Sequence, residues 1–215
     1  MYIGRIVSIA QTKDNRLCAM YRVSSRSFPN RTAVVGEDKV SIVPKKGHEG
    51  DVLKNPYIAY NCVRLVAAGQ VAVVTNGSQT DPIAEKIDQG MPVRDALVLS
   101  SLALDYEKDD YNTPRISAVA DKRNDSGWLA IVRHDGLEVR QMPLRPETFF
   151  YVATYEENKI SDDQGGSFKE ESIQDANNFI LGKGVFAERT NPVTAVTALA
   201  ASKGFKLATM DAPQS

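Results

Sequence analysis

Residues 57–83 read YIAYNCVRLVAAGQVAVVTNGSQTDPI, and this stretch decides the fold. Two apolar, β-branched runs between Tyr57 and Val74 surround Ala68-Gly69-Gln70, which predicts a hairpin. Asp81-Pro82 then reads as a helix start, with Asp81 as N-cap and Pro82 at the first helical position, running to about Gln89. Pro92 opens a second helix, Val93 to Tyr106. Upstream, Tyr2–Ala10 and Leu17–Val23 are strand-like around the turn Lys13–Arg16, and Val40–Val43 is a short strand stopped by Pro44. Downstream, Arg115–Asp121, Trp128–Val132 and Leu137–Met142 form a meander, followed by a strand at Phe149–Thr154. Glu156–Glu171 reads as a long surface loop. Two more helices are expected, Ser172–Leu181 and Pro192–Ser202, the second opened by Asn191-Pro192 and stopped by Gly204. A strand at Phe205–Met210 closes the chain, and residues 211–215 read as a flexible tail. Strands, two helices, strands, two helices: segregated runs of this kind predict an α+β fold. Two antiparallel sheets packed face to face, with helices outside each, would bury every apolar face. No linker divides residues 1–215, so one domain is expected.

Composition narrows the function. The chain has 42% hydrophobic and 25% charged residues, ordinary for a packed domain. Its 26 basic and 27 acidic residues leave a net charge of -1. That balance gives no long-range field for a nucleic-acid backbone, so any anion site is local. The two cysteines, Cys18 and Cys62, sit in apolar runs and read as buried thiols. Arg5 interrupts the N-terminal apolar segment, which excludes a signal peptide there. No apolar run is long enough to cross a bilayer, and a cytoplasmic location is expected.

Four segments depart from simple core-and-surface patterning. YRVSSRSFPNR, Tyr21–Arg31, combines three arginines with three serines. Hydroxyls, backbone N–H groups and guanidinium forks are what phosphate oxygens need, although solvated surface arginines would read the same way. YNCVR, Tyr60–Arg64, puts polar groups inside an apolar strand pair, and a buried tyrosine hydroxyl needs a partner. TNGSQTDPI, Thr75–Ile83, runs from a strand through a glycine turn into a helix start, a place that favours anions or is simply a good cap. DYEKDDYNTPRI, Asp105–Ile116, gathers Asp105, Glu107, Asp109 and Asp110 at the end of a helix. Negative charge is unfavourable there, so at least one carboxylate should have another task. His48 and His134 have no metal-ligand spacing, and no metal is expected.

These segments and the N-terminal MYIGR, in this order, closely resemble the archaeal-type IMP cyclohydrolases. The resemblance covers essentially the whole chain and is densest from Met1 to Ile116. It implies a four-layered αββα sandwich of the N-terminal-nucleophile hydrolase type. The chain begins Met1-Tyr2, so no terminal nucleophile is expected. It also implies ring closure of 5-formamidoimidazole-4-carboxamide ribonucleotide to IMP, without a cofactor. Arg31 and Glu107 match the positions the family uses for catalysis, with Tyr60 on the pocket wall. Arg22, Ser24, Ser25 and Arg26 are expected at phosphate and ribose. Asn30, Asn61, Asn76, Ser78, Thr80 and Arg115 complete the expected substrate contacts. The partner is a small purine nucleotide; nucleic acid and membrane are not expected, and homo-oligomerisation stays open. Binding without turnover, amide hydrolysis and RNA binding are the rival readings.

Overall fold

The computed structural model describes residues 1–213. Among these residues, seventeen α-helices and strands follow in order. They begin with β1 (Ile6–Gln11), β2 (Leu17–Ser24), β3 (Arg31–Val35), β4 (Lys39–Pro44) and the one-turn α1 (Asp51–Lys54). Next come β5 (Tyr60–Val66), β6 (Val71–Thr75), α2 (Thr80–Asp88), α3 (Val93–Leu104), β7 (Arg115–Asp121), β8 (Ser126–Arg133) and β9 (Gly136–Met142). The chain closes through β10 (Thr148–Ala153), β11 (Gly165–Ser167), α4 (Ile173–Gly182), β12 (Pro192–Ala201) and β13 (Gly204–Asp211). The strands form a six-stranded sheet, β11-β10-β1-β2-β12-β13, and a seven-stranded sheet, β3-β4-β5-β6-β7-β8-β9. Every pairing in both is antiparallel. The protein is an α+β structure of two antiparallel sheets with few helices.

The period of two along each strand sorts residues between cores. On β2, Leu17, Ala19, Tyr21 and Val23 face the second sheet, while Cys18 and Met20 face α4. On β7, Ile116, Ala118 and Ala120 face the first sheet, and Val119 faces α2 and α3. Central strands are therefore buried on both faces, which explains continuous apolar runs where one-sided sheets would alternate. Cys18 and Cys62 are free and buried, as expected.

The expected helix at Pro192–Ser202 is a strand instead, β12, hydrogen-bonded between β2 and β13. Val193, Thr194, Val196 and Thr197 are β-branched, and two neighbouring strands satisfy the backbone on both sides. Gly204 is the first residue of β13, at φ +137, not a helix stop. A Cβ there would lie 2.7 Å from the Gly69 carbonyl oxygen, which accepts from Phe205 N–H. β3 and β11 were not foreseen, and β11 lies inside the expected loop Glu156–Glu171. The first strand begins at Ile6 rather than Tyr2. Helix α2 starts at Thr80, so Asp81 is not its N-cap; it sits in the first turn, with its carboxylate on Arg64 and Asn61. Helix α3 stops at Leu104, two residues before the expected Tyr106, because Asp105 turns to φ 56. Of the expected tail, Asp211 still belongs to β13 and Ala212 N–H bonds Val193 O, while residues 214–215 lie outside the described residues.

Candidate active site

Segment 105–114 links α3 to β7, and its carboxylates divide the work. Asp105 accepts from Tyr106 N–H and pairs with Lys108. Asp109 accepts from the backbone of Tyr111 and Thr113 and from the Thr113 hydroxyl. Asp110 is exposed. These bonds shape a compact loop in which Glu107 N–H donates to Thr113 O. Only Glu107 turns inward, where it is 1% exposed.

A carboxylate this deeply buried requires cations. Arg5 supplies both terminal nitrogens, at 3.3 Å to Oε1 and 2.9 Å to Oε2. Arg115 Nη1 stands 3.7 Å from Oε1 and also donates to Gln79 Oε1 at 3.2 Å. Arg5 comes from the segment just before β1, and Gly4 before it has φ +80. A Cβ on Gly4 would collide with the Thr154 hydroxyl at 2.0 Å. Burial disfavours charge on Arg5, but Glu107 outweighs it and holds the guanidinium well above its ordinary pKa. Arg115 moves the other way, lowered by burial despite Glu107.

Around this ion cluster lie two recesses, both with Tyr57 and Glu107 in their walls. The larger, about 350 Å³ of empty space, is walled by Tyr2, Ser24, Ser25, Phe28 and Arg31. The smaller, about 200 Å³, is walled by Tyr60, Gly77, Ser78 and Arg115. Arg31 opens β3 and is 3% exposed. Its Nε donates to Phe28 O, and its two terminal nitrogens make no hydrogen bond to the described residues. Arg115 Nε is likewise buried without a partner. Gly77 passes directly over the cluster: a Cβ there would stand 2.6 Å from Arg115 Nη1 and 3.2 Å from Glu107 Oε1. Tyr60 accepts or donates across 2.6 Å to the Tyr21 hydroxyl. Burial raises the pKa of Tyr60, against the pull of Arg31 and Arg5, and raises Tyr21 further, so both stay protonated at neutral pH.

The expected residues separate into groups. Arg31, Glu107, Tyr60, Ser24, Ser25, Ser78 and Arg115 come together at these recesses. Arg22 does not. It points to the other face of β2, donating to Leu181 O, Arg189 O, Thr190 O and the Ser24 hydroxyl. Burial beside Arg189 brings it down to about 10. Asn61 faces α2, bonded to Ser41 and Asp81. Asn76 and Thr80 are fully buried beneath the Gly77 turn, with Asn76 bonded to Pro114, Ile116 and Gln79, and Thr80 to Thr75. Arg26 is exposed, 4.3 Å above the Tyr2 ring at the rim. Asn30 is half-buried and offers its carbonyl to Lys45 N–H. Sequence reasoning missed Arg5, Tyr57, Gly77 and Gln79. A charged residue beside a glycine inside an apolar run was the available signal for Arg5. No His/Cys/Asp/Glu group with metal-binding geometry occurs among the described residues, and no helix is long and apolar enough to cross a membrane.

Fold and site together define an α+β protein with a buried arginine–glutamate cluster, beside which the terminal nitrogens of Arg31 and the Nε of Arg115 have no hydrogen-bond partner among the described residues. Comparison with known proteins gives the family. Residues 2–204 match the family model described as IMP cyclohydrolase-like protein. The IMP cyclohydrolase of Methanosphaera stadtmanae is 48% identical over 198 residues, 92% of this chain and 94% of that protein. Those of Methanococcus maripaludis strain C5 and Methanocaldococcus jannaschii are 46% and 40% identical, covering 98% and 97% of this chain and 100% and 98% of theirs. The chain belongs to the IMP cyclohydrolase family.

Proposed function

We propose that the two recesses hold 5-formamidoimidazole-4-carboxamide ribonucleotide and that this cluster closes its ring to IMP. The chain is an enzyme of the last step of purine biosynthesis, an IMP cyclohydrolase. The observation that carries the assignment of the site is Arg31, buried with its fork unpartnered, in the same pocket as Glu107.

The reaction is intramolecular. The carboxamide nitrogen attacks the formyl carbon, a C–N bond forms, and the formyl oxygen leaves as water. One of its two hydrogens comes from the carboxamide nitrogen and one from the formamido nitrogen. Holding both groups in plane and facing supplies part of the roughly 7–11 kcal/mol that proximity can contribute. Arg31 stabilises charge growing on the formyl oxygen. Glu107 takes the proton from the carboxamide nitrogen and returns it to the departing oxygen. Arg5 fixes the carboxylate with two bonds, so that one geometry persists through the cycle. Arg115, Ser24, Ser25 and Ser78 bind the polar edges of the nucleotide. The excess of guanidinium groups over carboxylates suits a phosphate.

The same reading takes residues 1–215 as one catalytic domain working in the cytoplasm without a cofactor. It takes the layering as that of an N-terminal-nucleophile hydrolase. Glu107→Gln keeps the shape and removes the base. A folded Glu107→Gln protein that forms IMP at the wild-type rate, followed by absorbance, would overturn the proton-transfer role. Arg31→Lys keeps charge and loses the fork, and is expected to lower kcat by about 10²-fold.

A further inference from the structure

Tyr21 is a titratable group that no step above uses. It stands on the inward face of β2, fully buried, with its hydroxyl 2.6 Å from that of Tyr60. Tyr60 is its one hydrogen-bond partner among the described residues. The two hydroxyls are not equivalent. Tyr21 is enclosed by apolar residues of both sheets, whereas Tyr60 also lines the smaller recess beside Glu107 and Arg115.

A bond between two hydroxyls holds one proton. If Tyr60 supplied it, the remaining proton of Tyr21 would point into apolar core with no acceptor, which is costly. If Tyr21 supplies it, the proton of Tyr60 is free to turn to the recess, where a ligand oxygen can accept it.

We infer that Tyr21 is a positioning residue: its hydroxyl donates to Tyr60 and thereby aims the Tyr60 O–H at the formyl oxygen of the bound nucleotide. This rests on the reading of the pocket given above. No proton is transferred through the pair. The Tyr60 hydrogen bond strengthens as the C–N bond forms and charge gathers on the oxygen beside Arg31.

The test is a double-mutant cycle on the full chain with the formamido nucleotide. It compares wild type, Tyr21→Phe, Tyr60→Phe and the double variant, each checked by thermal unfolding. Tyr60→Phe is expected to lower kcat by roughly 10²-fold. Tyr21→Phe should lower it about tenfold, with KM changed less than about twofold, because the effect lies in the transition state. The double variant should equal Tyr60→Phe, since Tyr21 acts only through Tyr60. A wild-type kcat in Tyr21→Phe, or effects that multiply in the double variant, would overturn the inference while leaving the pocket assignment intact. Failure of the wild-type chain to cyclise the nucleotide would overturn both.

Discussion

Arg5 shows why residue type matters at the site. Its planar fork reaches both oxygens of Glu107 at once, at 3.3 and 2.9 Å. Lysine would bring the same charge to one oxygen. Arg5→Lys is therefore expected to lose about 1.5–3 kcal/mol of unfolding free energy by urea titration and to lower kcat more than it raises KM. Intact stability together with intact kcat would show that the two-point contact is dispensable. In the sequence, Arg5 registered only as a charge that interrupts an apolar segment. Arg22 had the opposite fate: it sat in an arginine- and serine-rich motif and looked like an anion ligand, but its nitrogens are taken by carbonyls. Composition around a residue does not say which face of a strand it occupies relative to its neighbours in space.

At the scale of elements, Arg22 joins β2 to the end of α4. Ile180 and Leu181 lie in the last turn of α4, where carbonyls lack helical partners. A guanidinium there satisfies them and complements the helix dipole. Arg22→Met is expected to cost about 2–4 kcal/mol in chemical denaturation, while KM for the nucleotide, measured on the folded fraction, stays within about twofold. A large KM change with little loss of stability would return Arg22 to the substrate. The turn between β6 and α2 makes a second prediction. Gly77→Ala places a methyl 2.6 Å from Arg115 Nη1 and 2.8 Å from Gln79 Oε1. It should displace Arg115 and reduce kcat/KM by tenfold or more, roughly the cost of misplacing a positioned group, which steady-state kinetics would detect. Most strands and the three longer helices, α2, α3 and α4, were legible from apolar runs and turn residues. β12 was not, because Asn-Pro before an Ala-rich run and Gly after it are also strand punctuation.

For the whole molecule, pH and ligand are the useful levers. Burial raises the pKa of Tyr21 and Tyr60 and of the thiols of Cys18 and Cys62. Free tyrosine loses its proton near pH 10 and free cysteine near 8.5. Above those values the unfolded chain releases protons that the folded chain retains. The folded state then binds more protons than the unfolded one, so stability falls as pH rises. The Tm is expected to decline from about pH 9 upward and steeply above about pH 10. A Tm that stays level to pH 11 would contradict it. Ligand acts in the other direction: IMP at one hundred times its Kd should add about 2.7 kcal/mol to unfolding. An Arg31→Ala variant should lose most of that gain in a thermal-shift titration.

The amino-acid sequence by itself determined the fold class and the family. Apolar runs, their turns and five long motifs are local patterns, readable without knowing what lies opposite. It also placed Arg31, Glu107 and Tyr60 as the residues of interest, through the motifs that hold them. Only the tertiary structure decided which polar side chains share the pocket. Glu107 meets Arg5 across 102 positions of chain, and Tyr60 meets Tyr21 across 39. Such pairings arise when two sheets close face to face, and their register is set by the packing of whole strands. Residues 57–83 could announce a hairpin and a helix, but not that Asn61 would face outward while Tyr60 and Gly77 faced the site.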